Sequence, residues 1–419
     1  MSAAALATPV RHADPLSLQC AACGVEQEPG PVHVCPSCLG PLEPVYPPDR
    51  VLPDRAELTA RPRTLWRYRE WLPFAGRPTR CLDAGWTPLI HAPRLAAALG
   101  VAHCWVKNDA VSFPSLSFKD RVVATALNAA HAFGLQVVGC ASTGNLANAV
   151  AAAAAREGLE AWIFIPHDLE AAKVLATAAF GPRLVRVRGT YDDVNRLCSQ
   201  VADGFRWGIV NVNLRAYYGE GSGTMAFEIA EQLGWRLPNA VVAPMAGGSL
   251  LTRLARGFAA FRDAGLVADP APRLFGAQAT GCAPIVRLLE RGDDTIVPER
   301  PHTIARSLAI GNPADGRSAV RAIRASGGWA AAVDDPAIVA GIRLLAETTG
   351  IFGETAAGVT VAAARELAAR GRLSPDDEVV LCITGNGLKT LDAVQDAIPL
   401  PEPIAPRLAA VAALAERAG

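Results

Sequence analysis

Two hydrophobic patterns alternate along most of the chain. From Pro88 onward, short runs rich in β-branched residues are separated by alanine-rich segments that end at glycine. The runs are typical of strands buried on both faces, and the segments are typical of helices. The predicted strands cover 103–107, 136–140, 161–165, 183–187, 208–212, 240–244, 273–277 and 378–383, and the predicted helices include 120–133, 146–156, 191–203, 223–233 and 249–263. This alternation predicts the α/β class, with parallel sheets covered by helices.

The chain also divides along its length. Its 419 residues are too many for one hydrophobic core, so two or three compact units are expected. Proline and charged residues are dense between Pro41 and Arg80, which predicts a linker followed by an irregular segment that carries aromatic residues. The predicted units are a cysteine-containing segment over 15–50, the linker and the start of the core over 51–118, a smaller α/β domain over 119–212, a larger α/β domain over 213–400, and a tail helix over 401–419.

Composition narrows the classes of partner. Lys+Arg and Asp+Glu number 40 each, so no net charge attracts nucleic acid or an anionic membrane. No apolar stretch reaches the roughly 18 residues that a membrane span needs. The N-terminus lacks the leading positive charge of a secretory signal. We therefore expect a cytoplasmic protein that binds a small or amphoteric molecule, and neither nucleic acid nor membrane.

Four of the ten cysteines form two C-x-x-C knuckles, "CAAC" and "CPSC", at Cys20, Cys23, Cys35 and Cys38. Two such knuckles offer four thiolates in tetrahedral geometry, which predicts a structural zinc site. A pair of disulfides, or a knuckle pair that has lost its metal, is the alternative, and the segment can also serve as a protein-docking module. The remaining cysteines are expected to be small buried apolar residues of a reducing compartment: Cys81, Cys104, Cys140, Cys198, Cys282 and Cys382.

Three turns that follow predicted strands carry groups suited to a ligand. Ligands of open α/β sheets bind at the carboxyl ends of the strands. The turn "ASTGN" (141–145) offers hydroxyls, backbone amides and the side-chain amide of Asn145. The turn "MAGGSLL" (245–251) places free amides at a helix N-terminus, which favours a phosphate. In "TGNGLK" (384–389), Thr384 presents a hydroxyl at the end of a buried strand.

A fourth turn, "SLSFKDRV" (115–122), contains Lys119 at the start of a predicted helix. A solvated first-turn lysine paired with Asp120 is the ordinary interpretation. However, a cation is poorly placed at a helix N-terminus, where the dipole is positive. Burial and a positive field both lower the pKa of a lysine, and the neutral amine is the form that condenses with an aldehyde. The sequence therefore points to Lys119 as a nucleophilic amine.

Together these motifs resemble the threonine synthase family of pyridoxal-phosphate enzymes, which has the tryptophan-synthase-β fold type. The matching motifs follow the family's order between about residue 85 and residue 395: "TPL" (87–89), "SFKDR" (117–121), "STGN" (142–145), "EGSGTMAFEIAEQLGW" (220–235), "IGNP" (310–313), "GETAAGV" (353–359) and "TGNGLK" (384–389). The resemblance implies two open twisted parallel-sheet domains of fold type II, of which the larger binds the cofactor. It also implies a small N-terminal zinc ribbon, as in some relatives, and is compatible with a homodimer.

The resemblance further implies a role for each matching residue. Lys119 becomes the Schiff-base lysine and later carries the proton. Asn145 would bond the cofactor's 3-oxygen, Ser142 and Thr143 would lie near the substrate carboxylate, and Thr384 would face the pyridine nitrogen. The cofactor phosphate would be held by the backbone amides of Ala246, Gly247, Gly248 and Ser249. A neutral hydroxyl at the pyridine nitrogen makes the ring a weaker electron sink, which favours loss of a leaving group over transamination.

The reaction implied by the resemblance is γ-elimination of phosphate from O-phosphohomoserine, followed by β-addition of water to give threonine. The glycine-rich turn would be occupied by the cofactor phosphate, so the substrate phosphate needs cations. Arg121 and Arg215 are the candidates, because each adjoins a matching motif.

The sequence also departs from the family pattern. The usual "NPTGSFKDRG" is here "FPSLSFKDRV", and Gly223 stands where the family has lysine, Thr355 where it has proline. These departures leave two alternatives open. One is a related enzyme that performs β-elimination or β-replacement on a phosphorylated amino acid, of the cysteate or cysteine synthase type. The other is a non-catalytic protein that docks through its zinc ribbon.

Overall fold

The computed structural model describes residues 17–73, 78–142, 144–167, 169, 171–189, 191–398 and 400–418. Thr143 and the first sixteen residues lie outside this part of the chain. The strands are β1 (Ser17–Cys20), β2 (Glu26–Gln27), β3 (Leu42–Val45), β4 (Leu89–His91), β5 (His103–Asn108), β6 (Val137–Ala141), β7 (Glu160–Pro166), β8 (Arg183–Val187), β9 (Gly208–Ile209), β10 (Ala240–Pro244), β11 (Arg273–Ala279), β12 (Ala330–Val333) and β13 (Glu378–Ile383).

The helices are α1 (Arg55–Ala60), α2 (Pro93–Leu99), α3 (Lys119–Ala132), α4 (Asn145–Glu157), α5 (Ala171–Ala178), α6 (Tyr191–Phe205), α7 (Arg215–Gln232), α8 (Ser249–Asp263), α9 (Pro284–Arg291), α10 (Gly316–Ala325), α11 (Asp335–Thr349), α12 (Thr355–Ala369) and α13 (Leu408–Ala418). Short 3₁₀ helices cover Leu65–Trp71, Asp109–Val111, Arg306–Leu308, Gly387–Lys389 and Leu391–Ala393. Helix α13 lies in the predicted tail helix and is largely exposed. No helix of the described residues is long and apolar enough to cross a membrane.

Three sheets organise the fold. The largest has the order β12-β11-β10-β13-β5-β4 and the second has the order β8-β7-β6-β9. Both are parallel, except that the edge strand β4 runs antiparallel to β5. The third is a small antiparallel ribbon with the order β2-β1-β3 near the N-terminus. The predicted fold class, two open parallel sheets preceded by a small ribbon, is confirmed.

The central strands of the large sheet show why the hydrophobic pattern is informative. Every residue of β10 is buried, and so are the last five residues of β13. A strand covered by helices on both faces needs apolar side chains on both, so it appears as a continuous apolar run. All four strands of the second sheet lie within 119–212, whereas β4 and β5 come from 51–118 and join strands from 213–400.

Helix α7 begins eight positions before its predicted start at 223. The added part contains Gly219 and Gly221, and glycine weakens the helical signal of a sequence. In the structure, a Cβ on Gly221 would lie 2.6 Å from the backbone oxygen of Arg121 and 2.7 Å from Oγ1 of Thr125, both on α3. Glycine is therefore needed for the close packing of two helices, and it does not end α7.

The predicted linker is not a linker. Helix α1 and the following 3₁₀ helix pack onto the body of the protein, with Tyr68 and Trp71 buried. The ring centroid of Trp71 lies 5.5 Å from that of Phe227 on α7 and 5.3 Å from that of Phe261 on α8. Aromatic burial of this size outweighs the local preference of proline and charged residues for an open chain. The expectation that the segment is irregular and aromatic holds for the 3₁₀ helix, which contains a kink at Tyr68.

The six scattered cysteines are buried and free, as predicted: Cys81, Cys104, Cys140, Cys198, Cys282 and Cys382.

Candidate active site

A cavity of about 540 Å³ lies where strands of both parallel sheets end. The end of β6 contributes Ala141 and Ser142, the end of β10 contributes Pro244, and the residue after β13 is Thr384. Ligand sites of open α/β sheets occupy this position. The cavity contains most of the side chains that the sequence singled out.

Lys119 is the first residue of α3 and faces this cavity. Its Nζ donates a hydrogen bond to the hydroxyl of Tyr218 at 2.7 Å and lies 4.8 Å from the ring centroid of Phe118. Tyr218 was missed by the sequence analysis. It lies on α7 between Arg215 and Ser222, at spacings of three and four residues that place all three on one face of the helix. That spacing of polar residues is the signal that could have identified it.

Asn145 begins α4 and has both ends of its side-chain amide bonded. Its Nδ2 donates to both carboxylate oxygens of Glu354 at 2.9 Å, and its Oδ1 accepts from Nζ of Lys389 at 3.1 Å. Glu354 is buried and lines the cavity. Burial lowers the pKa of Lys389, and the neighbouring carboxylate of Glu354 partly opposes that effect. The amide of Asn145 is therefore held in one orientation at the cavity wall.

Ser142 lines the cavity and also caps the start of α4. Its Oγ accepts hydrogen bonds from the backbone N–H groups of Gly144 at 3.1 Å and Ala147 at 3.0 Å. The hydroxyl thus satisfies two amides at the helix N-terminus and keeps its own proton for another partner. Thr143, which was predicted beside it, lies outside the described residues.

The glycine-rich turn forms another wall of the cavity through Ala246, Gly247, Gly248 and Ser249. Gly248 has a φ of 94°, a conformation that favours glycine. A Cβ on Gly247 would meet nothing within 4 Å, whereas one on Gly248 would lie 3.0 Å from the backbone oxygen of Asp315. Helix α8 starts at Ser249, so the turn leads into a helix N-terminus, the kind of site that binds a phosphate.

These residues fit pyridoxal phosphate on their own chemistry. A lysine amine, a helix N-terminus with a glycine turn, and the buried Thr384 at a strand end line the same space. The hydroxyl of Ser222 is buried beside this space and has no hydrogen-bond partner within the described residues. A buried hydroxyl without a partner is costly unless a ligand supplies one.

The two arginines predicted to bind a substrate phosphate are in different environments. Arg215 lines the cavity, where its Nη2 lies 2.6 Å from Oδ1 of Asp315. Arg121 is fully buried, with its Nε 2.6 Å from Oδ2 of Asp109 and its Nη2 2.8 Å from Oε2 of Glu228. Because two positions along a helix turn a side chain by about 200°, Arg121 points away from the face that carries Lys119. The prediction that Arg121 binds the substrate is therefore wrong.

Glu228 is the centre of the buried network that holds Arg121. Its carboxylate also accepts from Nζ of Lys107 at 2.6 Å. Burial raises the pKa of Glu228, but Arg121 and Lys107 lower it by more, to about 2. Arg121 in turn has a pKa well above its usual range, because the two carboxylates outweigh its burial. This network joins α3, α7 and β5 directly behind the cavity.

The four knuckle cysteines converge at the tip of the ribbon. Their Sγ atoms lie within 4.8 Å of one another, with 3.4 Å between Cys20 and Cys38 and 3.6 Å between Cys23 and Cys35. These distances exceed the roughly 2.0 Å of a disulfide bond. They are near the roughly 3.8 Å that separates the sulfurs of a tetrahedral zinc site with bonds of about 2.3 Å.

Backbone donors support the same interpretation. The amide of Ala22 donates to Cys20 and that of Ser37 to Cys35, each at 3.4 Å. Burial raises the pKa of Cys20, but backbone donors lower it further, to about 6, whereas the neighbouring thiol of Cys23 raises the pKa of Cys38 to about 12. The converging sulfurs and these backbone donors fit a structural zinc ion, which binds thiolates.

Comparison with known proteins agrees with this geometry. The family described as pyridoxal-phosphate dependent enzyme matches residues 81–385. Threonine synthase of Methanocaldococcus jannaschii is 35% identical over 90% of this chain and 93% of its own length. Threonine synthase of Methanosarcina acetivorans is 34% identical over 90% of this chain and 93% of its own length. Threonine synthase of Synechocystis is 34% identical over 85% of this chain and 92% of its own length.

Solved structures of lower identity share the fold. Maize serine racemase is 22% identical with a TM-score of 0.61, covering 74% of this chain and 92% of its own. A fungal L-serine ammonia-lyase from Rhizomucor miehei is 23% identical with a TM-score of 0.62, covering 75% of this chain and 98% of its own. An O-ureido-L-serine synthase is 21% identical with a TM-score of 0.63, covering 77% of this chain and 97% of its own.

Proposed function

We propose, from the premise that the chain belongs to the pyridoxal-phosphate dependent enzymes and to their threonine synthase family, that it converts O-phosphohomoserine and water into threonine and phosphate. The observation that carries the proposal is that Lys119 and Arg215 line one cavity. The first is an amine suited to an aldehyde cofactor, and the second is a cation suited to a substrate phosphate.

When bound, pyridoxal phosphate supplies an aldehyde for amino groups and a ring that withdraws electrons from the substrate. In this proposal Lys119 holds the cofactor and moves protons at its Nζ, which Tyr218 positions. The amides of Ala246, Gly247, Gly248 and Ser249 hold the cofactor phosphate, Asn145 contacts its 3-oxygen and Thr384 its pyridine nitrogen. Ser142 and Thr143 bind the substrate carboxylate.

In this proposal Arg215 binds the substrate phosphate. In the structure its guanidinium is paired with Asp315, whose backbone N–H also donates to the oxygen of Gly247 at 3.0 Å. Arg215 is thus held at the edge of the glycine-rich turn, where a second phosphate can share it with Asp315. Gly223 and Thr355 depart from the family's sequence pattern. The alternative function is therefore β-replacement on a phosphorylated amino acid.

The N-terminal cysteines would bind a structural zinc ion, for which their sulfur geometry is suited. A cytoplasmic homodimer is the proposed form of the protein.

The experiment is an assay on purified protein reconstituted with pyridoxal phosphate. It is incubated with O-phosphohomoserine, and separately with O-phosphoserine plus sulfite or sulfide, while phosphate release is followed and the product identified. Threonine from the first mixture is the expected result, and Lys119→Ala should abolish it together with the visible absorbance of the cofactor. Cysteine or cysteate from the second mixture, with no turnover of the first, would establish the alternative.

Arg215→Ala is expected to raise KM for O-phosphohomoserine while kcat changes little. A charged hydrogen bond contributes about 1.5–3 kcal/mol, which corresponds to roughly 10–100-fold in affinity. Arg215→Lys should retain part of the effect, because lysine keeps the charge without the two-pronged geometry. Arg343→Ala is the matched control, since Arg343 lies on α11 in an exposed pair with Glu347. An unchanged KM for Arg215→Ala would mean that the phosphate binds elsewhere.

A further inference from the structure

The cysteine ribbon reaches the active site. His33, Val34, Leu39 and Pro41 line the same cavity as Lys119. Leu39 is 74% exposed although it is a large apolar residue, so it contributes little to the ribbon's own core. A structural zinc module needs no leucine at this position for its own fold, and its side chain instead faces the space in front of the cofactor site.

The position of Leu39 is fixed by the turn that brings the sulfurs together. Leu39 has a φ of 59°, which is uncommon for a leucine. Its N–H donates to the oxygen of Cys35 at 3.0 Å, and the N–H of Cys35 donates to the oxygen of Gly40 at 2.9 Å. A Cβ on Gly40 would lie 2.8 Å from Sγ of Cys20, so the turn is closed tightly around the cysteines. Holding the sulfurs in place therefore also holds Leu39 in place.

The ribbon is docked onto the helix that carries the site. The hydroxyl of Tyr217 accepts from the N–H of Gly30 at 2.8 Å and donates to the oxygen of Gly30 at 3.0 Å. The next residue, Tyr218, lies about 100° further around α7 and accepts the hydrogen bond from Lys119. One helix thus contacts the ribbon and the catalytic amine through consecutive residues.

Charged contacts strengthen this docking. The hydroxyl of Tyr46 donates to Glu220 at 3.1 Å. Glu43 lies 3.4 Å from Arg253 and 2.9 Å from Arg256, both on α8. Helices α7 and α8 therefore hold the ribbon against the cavity, and the ribbon is part of the body of the enzyme.

We propose that the second knuckle is a wall of the substrate cavity, in which Leu39 restricts access to the cofactor and the zinc ion keeps Leu39 in position. The proposal rests on the cofactor assigned under the proposed function, and it does not depend on which phosphorylated amino acid is converted.

The test compares two carbonyl reagents on the zinc-loaded holoenzyme. Hydroxylamine is small and O-benzylhydroxylamine is bulky, and each removes the visible absorbance of bound pyridoxal phosphate. The rate with O-benzylhydroxylamine divided by the rate with hydroxylamine measures how narrow the access to the cofactor is. Leu39→Ala should raise this ratio about 3- to 10-fold, which is a barrier change of about 0.7–1.4 kcal/mol, and Leu39→Trp should lower it. Val25→Ala, at the partly exposed Val25 of the same ribbon, should leave the ratio unchanged.

Removal of the zinc by a chelator provides the second arm. The metal-free wild type should show the raised ratio of Leu39→Ala, and Leu39→Ala should gain little more when its zinc is removed. If Leu39→Ala and the metal-free wild type both keep the wild-type ratio, the ribbon is not a wall and the proposal is overturned. Failure of the proposed function would look different. The ratio would still rise in Leu39→Ala and in the metal-free protein, but the wild type would not convert O-phosphohomoserine.

Discussion

Tyr218 holds the amine on which the proposed chemistry depends. Its hydroxyl accepts the hydrogen bond from Lys119 at 2.7 Å, and its ring centroid lies 5.4 Å from the same nitrogen. Tyr218→Phe keeps the ring and removes the hydroxyl, so Lys119 loses its fixed direction while the cavity keeps its shape. A lost hydrogen bond to an amine contributes about 1.5–3 kcal/mol, and kcat should fall roughly 10–100-fold with little change in KM.

The measurement is steady-state kinetics together with the visible spectrum of the reconstituted protein. The spectrum should show the cofactor bound at wild-type occupancy, which separates a positioning role from a failure to bind. Tyr68→Phe is a suitable control, because Tyr68 is also buried and hydrogen-bonded, but to Glu231 at 2.6 Å. Equal kcat in Tyr218→Phe and wild type would show that the hydroxyl does not position Lys119.

At this scale the sequence identified residues that belong to contiguous motifs and missed those that the fold brings together. Lys119, Asn145 and Thr384 were each found beside a strand end, because the α/β pattern says where ligands bind. Asp315 lies outside the matching motifs, and Glu354 lies in "GETAAGV" but receives no predicted role, because the cavity positions of both depend on packing between distant segments. Arg121 was misassigned for a related reason, since adjacency to Lys119 in sequence does not fix the direction in which a helical side chain points.

At the scale of secondary-structure elements, the carboxylate of Glu228 holds two helices and a strand together. Glu228 of α7 contacts Arg121 of α3 and Lys107 of β5, and all three side chains are fully buried. Glu228→Gln takes away the carboxylate paired with Lys107 and leaves Arg121 with Asp109 alone. Breaking a buried pair in this way costs about 3–5 kcal/mol, and we expect a loss of that size in the free energy of unfolding, measured with urea. Glu347→Gln, in an exposed pair with Arg343, should change stability by less than about 0.5 kcal/mol.

The same network predicts the dependence of stability on acid. The folded pKa of Glu228 is about 2, below its ordinary value of 4.5. A carboxyl whose pKa is lowered by folding stabilises the protein above its unfolded pKa, and that contribution is lost as the pH falls toward the folded pKa. Unfolding free energy should therefore decline from about pH 4.5 downward, and the decline should be shallower in Glu228→Gln. An identical acid profile for both proteins would contradict this assignment.

The elements that the sequence did not predict have specific physical reasons. Strand β12 is "AAAV", and alanine carries no strand preference that would distinguish it from a helix. Strand β4 has only three residues and is an antiparallel edge, too short for a periodic signal. Helix α7 was started late because its glycines serve close packing with α3. The eight predicted strands all appear, although β9 covers only Gly208–Ile209 of the predicted 208–212. Central strands such as β10 are marked by their own apolar runs because both faces are covered.

At the scale of the whole molecule, the segment between ribbon and body is part of the core. Residues 65–71 place Tyr68 and Trp71 against α7 and α8, and the oxygen of Trp71 lies 3.1 Å from the hydroxyl of Tyr46 beside the ribbon. The same two helices contribute residues to the cavity lining, among them Arg215, Tyr218 and Ser249. Ribbon, connecting segment and catalytic body are therefore expected to unfold together.

Trp71→Ala tests that expectation. Trp71 is 4% exposed and contacts Phe227 and Phe261, so truncation should cost about 3–5 kcal/mol in the free energy of unfolding. Its indole N–H has no hydrogen-bond partner within the described residues, so Trp71→Phe, which removes that group and keeps an aromatic ring, should cost much less. Phe205→Ala removes an exposed ring, 64% accessible, and should be near neutral.

The unfolding of Trp71→Ala should be followed by two signals, cofactor absorbance and release of the ribbon's zinc to a colorimetric chelator. If the connecting segment is core, both signals shift to lower urea by the same amount, because loss of the tryptophan weakens the contact of α7 and α8 with everything that packs on them. If the segment were only a tether, zinc release would move while the cofactor signal stayed at its wild-type midpoint. Coincident midpoints in wild type and variant would show that the ribbon and the body form one cooperative unit.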